Sequence, residues 1–214
     1  MGGARPYYPV FLDVHGKRCL VIGGGEVALR KVRSLLEHGA RVEVVAPQLC
    51  PKLSELVEMG EVQARLKSYE NGDIEGAFLV IAATDQREVN RKVFQEARER
   101  GVLVNVVDSP EESDFILPSY LRRGSLTIAI SSSGVSPALS RKLKDRLEEN
   151  FGEEYSSLLE LVGEVRAEIK VRGLKVSADA WQKALDLDLL AELVRSGEKE
   201  KAKKVLLRSL EALD

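Results

Sequence analysis

The chain has 214 residues, 44% of them hydrophobic and 31% charged, with a formal net charge of −2. That balance excludes a disordered chain and the strongly basic surface of a general nucleic-acid binder, while leaving room for a local basic pocket. The length fits one large domain, or a nucleotide-binding domain with a smaller appendage, at roughly 100 to 200 residues per domain. The two cysteines, Cys19 and Cys50, form no CxxC pair, so neither a disulfide framework nor a cysteine-built metal site is expected, and a reducing compartment is the simplest setting. Met1 to Pro9 lacks the apolar core of a leader, and no apolar run approaches the roughly 18 residues of a membrane span. The expectation is a cytoplasmic protein with no membrane or nucleic-acid partner.

In chain order, Cys19 to Ile22 is a short apolar strand ending at Gly23-Gly24-Gly25, after which Ala28, Val32, Leu35 and Leu36 take helical spacing. Gly39 stops that helix and Val42 to Val45 is a second strand, which completes a βαβ unit. Val62, Ala64 and Leu66 alternate as a third strand, Ala77 to Ala83 is a fourth, Val89, Val93 and Ala97 mark a helix ending near Gly101, and Leu103 to Val107 is a fifth strand. Apolar strands alternating with helices require a parallel sheet covered on both faces, so the fold class is α/β, Rossmann-like and doubly wound. Beyond Asp108 the rhythm changes. Phe115 to Leu117 and Leu126 to Ile130 read as two strands joined by a turn at Arg122-Arg123-Gly124, and a helix starts at Ser136-Pro137 with Ser136 as its cap. Helices are expected at roughly 154 to 170, 179 to 195 and 197 to 212. The expected divisions are a nucleotide-binding domain over 1–112, a small α+β segment over 113–150 and a helical region over 151–214.

The run Gly23, Gly24, Gly25, Glu26, Val27, Ala28 fits GxGxxA at a strand-to-helix junction. Gly23 permits the tight turn, Gly25 lets a pyrophosphate approach the backbone, and the small Ala28 allows the helix to pack closely on the sheet. The acid that usually ends the second strand to bind ribose hydroxyls is missing, since Ala46-Pro47-Gln48 stands there and Glu43 lies too early. No arginine follows to hold a 2′-phosphate. Ribose and adenine are therefore expected on Pro47 and Gln48, with NAD favoured over NADP. Ligands of open α/β sheets lie outside the carboxyl ends of the strands, which brings in Thr84 and Asp85 after the fourth strand and Asn105, Val106 and Asp108 after the fifth. Asp108-Ser109-Pro110 also reads as an ordinary turn with the aspartate bonded to nearby backbone.

These segments carry a family resemblance. VIGGGEVALRK at 21–31, AATD at 82–85, NVVDSPEESDFILPS at 105–119 and AISSSGVSPALSRKL at 129–143 resemble the precorrin-2 dehydrogenase family, including the NAD-binding module of siroheme synthases. The resemblance covers about residues 6 to 150, and Trp181 to Leu187 looks like the tails of free-standing members. Ser113 stands where many relatives have a cysteine.

The resemblance implies oxidation of precorrin-2 to sirohydrochlorin, in which a hydride passes to NAD and a proton to a base. It implies that Asp108 is the catalytic residue, as proton acceptor or as orienting charge. It also places Ser132 near the active cleft. Ser131, Ser133 and Gly134 offer hydroxyls and N–H groups to the substrate's carboxylates, though a plain polar loop explains Ser131 and Ser133 equally well. Arg122, Arg123, Arg141 and Lys142 are further carboxylate partners or solvated charges, and Arg30 and Lys31 face the site or solvent. His15 and His38 read as structural, and no metal cluster is apparent. A homodimer built through the segment after about residue 113 follows from the resemblance and from the unpaired edges of the two strands there. The methyltransferase domain fused to some siroheme synthases is not expected, because the sequence ends at Asp214. Two alternatives stay open: a bifunctional dehydrogenase and sirohydrochlorin ferrochelatase, and a non-catalytic NAD-sensing module.

Overall fold

The computed structural model describes residues 6–213, so Met1 to Arg5, within the Met1–Pro9 stretch read above, and Asp214 lie outside the described residues. The chain forms two compact units that divide between Leu117 and Pro118.

The first unit runs β1 (Arg18–Ile22), α1 (Glu26–Glu37), β2 (Arg41–Val45), α2 (Pro51–Glu58), β3 (Gln63–Arg65), β4 (Leu79–Ala82), α3 (Arg87–Arg100) and β5 (Leu103–Val106). All five strands are parallel, in the order β3-β2-β1-β4-β5, so the strand order reverses between β1 and β4. Successive strand side chains point to opposite faces, and both faces are apolar. Cys19, Val21, Val44 and Ile81 pack under α1 and α2 with Ala28, Val32 and Leu53, whereas Leu20, Ile22, Val80 and Val104 pack against Val93 and Ala97 of α3. This is the doubly wound Rossmann-like sheet that the alternating strands and helices implied.

Three details differ from expectation. Strand three is shorter than 62–66: Val62 is buried before it begins, and Leu66 is exposed beyond its end. Helix α2 was not expected; Pro51 occupies its first turn, where the missing N–H costs nothing, and Leu53 is its buried anchor. The crossover from β3 to β4 is not a helix but a series of turns, with Ile74 buried beneath it. Charges fasten this loop to the sheet. Arg65 Nη1 lies 2.7 Å from Asp73 Oδ1, Arg18 Nη2 donates to the Asp73 carbonyl at 3.1 Å, and Glu43 bridges both arginines. Burial tends to raise the pKa of the Asp73 carboxyl. The Glu70 N–H, Lys67 and Arg65 outweigh it and hold the group below the usual carboxylate range.

The second unit opens with an antiparallel pair, β6 (Ser119–Arg123) and β7 (Leu126–Ile130), followed by α4 (Pro137–Asn150), α5 (Glu154–Arg172), α6 (Ala178–Ala184), α7 (Leu187–Arg195) and α8 (Lys199–Glu211). Leu158, Leu161, Val165 and Ile169 line one stripe of α5 and meet Leu190 of α7 and Leu206 and Leu210 of α8 in one core. The strand expected at Phe115 to Leu117 is not formed; β6 begins at Ser119, and the turn falls at Gly124-Ser125 rather than at Arg122-Arg123-Gly124. The helix expected over 179–195 is two helices. Asp186 ends the first and caps the second, its carboxylate accepting from Leu189 N at 3.1 Å. Among the described residues no helix is long and apolar enough to cross a membrane.

Candidate active site

The carboxyl ends of β1 and β4 lie side by side where the strand order reverses, which is where an open α/β sheet opens a crevice. The glycine run sits there. Gly23 has φ 128°, which L side chains rarely adopt, and a methyl group on it would strike the Ala83 carbonyl. A methyl on Gly24 would run into the Gln48 carbonyl, and Cys50 N donates to the Gly24 carbonyl at 2.7 Å, so this turn is sewn to the loop after β2. Gly25 is different: a Cβ there would meet nothing within 4 Å. Gly25 is also the N-cap of α1, and no side chain caps that helix end. The first-turn N–H groups of a helix have no intrahelical partners, so an uncapped glycine with open space before it is a seat for an anion. Glu26 and Val27 continue that first turn, and Ala28 is fully buried against the sheet. The cradle fits a dinucleotide pyrophosphate.

Pro47 and Gln48 are exposed beside this seat. Glu43 is engaged elsewhere, with Oε2 at 2.7 Å from Arg18 Nη2 and Oε1 on Arg65, so it offers no free carboxylate to a ribose. After β4, Thr84 Oγ1 donates to Asn90 Oδ1 at 2.7 Å and accepts from Gln86 N at 3.1 Å, which ties the loop to the start of α3 and leaves Asp85 exposed.

At the end of β5, Asn105 is buried and donates through Nδ2 to the Phe115 carbonyl at 2.9 Å. Val106 has both backbone groups engaged: its N–H donates to Ser113 Oγ at 2.9 Å and its carbonyl accepts from Ser109 N at 3.1 Å. Ser113, where a cysteine was the family alternative, is thus a buried staple, and its hydroxyl also donates to the Ser109 carbonyl at 2.9 Å. The turn so fixed lifts Asp108 into the left-handed region, φ 61°, exposed and with no hydrogen bond or ion pair among the described residues. Aspartate tolerates that conformation better than most side chains. The turn is there, but it is held by Ser113 and by backbone, and the Asp108 carboxylate is left over.

On α1, Arg30 is exposed while Lys31 is half-buried. Burial pushes the Lys31 pKa down, Arg30 adds to the push, and Asp108 opposes it. The sequence left its direction open. The signal available was its position, three residues after Ala28 and four before Leu35 on the buried flank of the helix. The histidines lie apart from the crevice: His38 Nδ1 is 2.7 Å from the Ser34 carbonyl in the last turns of α1, and His15 N donates to Asp13 Oδ1 at 3.0 Å.

A family model described as "Putative NAD(P)-binding" matches residues 10–119. The chain belongs to this NAD(P)-binding family. A second model, "Sirohaem biosynthesis protein central", matches residues 123–150. The chain is 41% identical over 207 residues to a siroheme synthase of Nitrosococcus oceani, a match covering 96% of this chain and 44% of that protein. It is 39% identical to siroheme synthase 1 of Aeromonas salmonicida over 92% of this chain and 42% of the relative. The chain thus spans less than half the length of the curated relatives it matches. Among solved structures, SirC, a precorrin-2 dehydrogenase, superposes with a TM-score of 0.70 at 28% identity, covering 96% of this chain and 100% of that one. The family resemblance read from the glycine, AATD, NVVD and SSSG segments is therefore borne out.

In this NAD(P)-binding chain the siroheme-type central segment carries the serine loop. Ser132 Oγ accepts from Ser136 N at 3.0 Å and lies 3.1 Å from Ser140 Oγ, while Ser131 Oγ accepts from Ser133 N at 3.0 Å. Ser133 at φ 53° and Gly134 at φ 83° turn the loop, and Ser136 Oγ accepts from Leu139 N at 3.2 Å, capping α4 as its sequence position implied. With Ser140 donating, Ser132 has filled its acceptor sites, and its own O–H remains for an outside acceptor such as a carboxylate. Of the cations proposed alongside, Arg123 is bound to the Phe151 carbonyl at 2.9 Å and to Glu153 at 3.4 Å, and Arg122 donates to the Gly124 carbonyl. Arg141 and Lys142 are exposed on α4 with no ion pair among the described residues.

Proposed function

We propose that the chain is an NAD-dependent precorrin-2 dehydrogenase that forms sirohydrochlorin for siroheme synthesis. The observation that carries this reading is the pairing, within one sheet, of an uncapped glycine turn built for a dinucleotide and an unpartnered carboxylate raised on the turn after β5. The solved relative named as a precorrin-2 dehydrogenase supports the reading over the full length of that protein. NAD would be held by Gly23, Gly24, Gly25, Glu26, Val27 and Ala28 at the phosphates, by Pro47 and Gln48 at the ribose and adenine, and along Thr84, Asp85, Asn105 and Val106. When bound it accepts the hydride. Asp108 Oδ takes the proton released from the macrocycle, so that electrons and proton leave by separate routes. A carboxylate is well suited because the oxidised ring system gains positive character as the hydride leaves, and a nearby negative charge stabilises it. The hydroxyl of Ser132, with Ser131, Ser133 and Gly134, would donate to substrate carboxylates. The segment 113–150 would then serve as substrate cleft and dimer contact, with 151–214 as a helical domain of a cytoplasmic homodimer.

Asp108→Ala is the direct test. NADH formation from precorrin-2 should fall by about 10² to 10⁴, the usual worth of a positioned acid or base, with NAD binding and melting temperature kept. A folded, NAD-binding variant that turns over at the parental rate removes Asp108 from the chemistry. A monomeric mass in solution at working concentration defeats the dimer. The name siroheme synthase carried by the curated relatives favours a second reading, in which the same carboxylate also assists iron insertion. Anaerobic incubation with sirohydrochlorin and ferrous iron, without NAD, would yield siroheme only in that case.

A further inference from the structure

The crevice where the strand order reverses has two walls, the glycine turn after β1 and the Ala83–Thr84 peptide after β4. They touch. Ala83 N donates to the Ile22 carbonyl at 2.8 Å, and the Ala83 carbonyl fills the space that a side chain on Gly23 would need. With no slack between them, a shift of the second wall is passed to the first.

The second wall is held from α3. Asn90, at the start of that helix, is 8% exposed. Its Nδ2 donates to the Thr84 carbonyl at 3.0 Å, and its Oδ1 accepts from Thr84 Oγ1 at 2.7 Å and from Thr84 N at 3.4 Å. One side chain thus grips both backbone groups and the hydroxyl of one residue, using the donor and the acceptor of its amide at once. Satisfying Thr84 does not require this. Ala83 and Thr84 are half-buried and Asp85 and Gln86 exposed, so water is at hand, and exchanging water for a protein hydrogen bond gains little net stability. An apolar side chain would fill the same place with no amide to desolvate. What the amide adds is orientation. It fixes the Thr84 peptide, and with it the direction in which the chain presents Asp85, which has no hydrogen bond or ion pair among the described residues.

We infer that Asn90 is a positioning residue of the dinucleotide site, the clamp that sets the wall opposite the glycine turn so that NAD fits between them. It acts through Thr84 and Ala83. This role rests on the placing of NAD at the glycine turn, and is independent of the reaction proposed above.

Calorimetric titration of NAD into the intact chain, without substrate and well below the melting temperature, tests it. Asn90→Ala should weaken NAD about tenfold or more, and so should Asn90→Asp, which keeps the volume but cannot donate to the Thr84 carbonyl. Val93→Ala is the control: it hollows the core beneath the same helix without touching Thr84, and should lower the melting temperature while NAD affinity stays within about twofold. Parental affinity in either folded Asn90 variant overturns the inference, as does an equal loss of affinity in Val93→Ala. In the parent itself, NAD should shift the ¹⁵N-detected signals of the Asn90 side-chain amide; signals that stay put at saturation overturn it even if neither variant folds. In assays with precorrin-2, the KM for NAD should rise in Asn90→Ala with kcat within about twofold of the parent. A parent that binds NAD without oxidising precorrin-2 ends the proposed activity, while the NAD titrations still decide the part played by Asn90.

Discussion

Two loops deliver the chain into a helix, and they do so by opposite means. Before α1 the cap position is Gly25, with no side chain to satisfy the helix end and open space in front of it. Before α4 the loop satisfies itself: Ser136 Oγ takes Leu139 N, Ser132 Oγ takes Ser136 N, and Pro137 has no N–H to offer. The first helix start is left open, as the proposed phosphate seat requires, and the second is consumed by its own residues. The serine loop therefore has hydroxyls to give rather than an open helix end, which narrows what it could do for the carboxylates of the proposed substrate.

That contrast can be broken by exchange. The largest effect is expected at Gly24, where a methyl group would collide with the Gln48 carbonyl; Gly24→Ala should cost about 1 to 3 kcal/mol of stability, read as a shifted denaturant midpoint. Gly25→Asp gives α1 a cap of the kind α4 possesses. Its melting temperature should hold or rise, while NAD affinity measured by calorimetry should weaken at least tenfold, about 1.4 kcal/mol. If that variant binds NAD as tightly as the parent, the uncapped end is not the phosphate seat. Ser136→Ala should cost about 1 kcal/mol and Ser136→Gly only a few tenths, without change in NAD affinity, since α4 merely loses its own cap.

The sequence made the first βαβ unit readable because its apolar period switches from two to 3.6 at the glycines, and each residue type there has a single physical use. It hid features that depend on side chains replacing backbone. Phe115 to Leu117 looked like a strand as a short apolar run, but the chain just before it is strapped to β5 by side chains: Asp114 Oδ2 and Ser113 Oγ stand where strand carbonyls would be, accepting from Val104 N at 3.2 Å and Val106 N at 2.9 Å. The β3 to β4 crossover escaped for a similar reason, being held by the charges of Arg18, Arg65 and Asp73 rather than by an amphipathic stripe. Helix α2 and the break at Asp186 were within reach, through Pro51 at a helix start and an aspartate cap. The glycine seat was legible as a pattern. Which glycine answers to the protein and which stands open to a ligand became visible only with the neighbours in place.

The strapping of β5 has a consequence for how copies of this chain can meet. Its outward N–H and C=O groups at Val104 and Val106 are all occupied by Ser109, Ser113 and Asp114, and the opposite margin of the sheet is the three-residue β3, which carries Arg65. Neither border offers the bare ladder that lets sheets zip together laterally into ribbons or aggregates. The five-stranded sheet is thereby guarded against edge-to-edge growth, and a dimer of the kind proposed would need surfaces outside it.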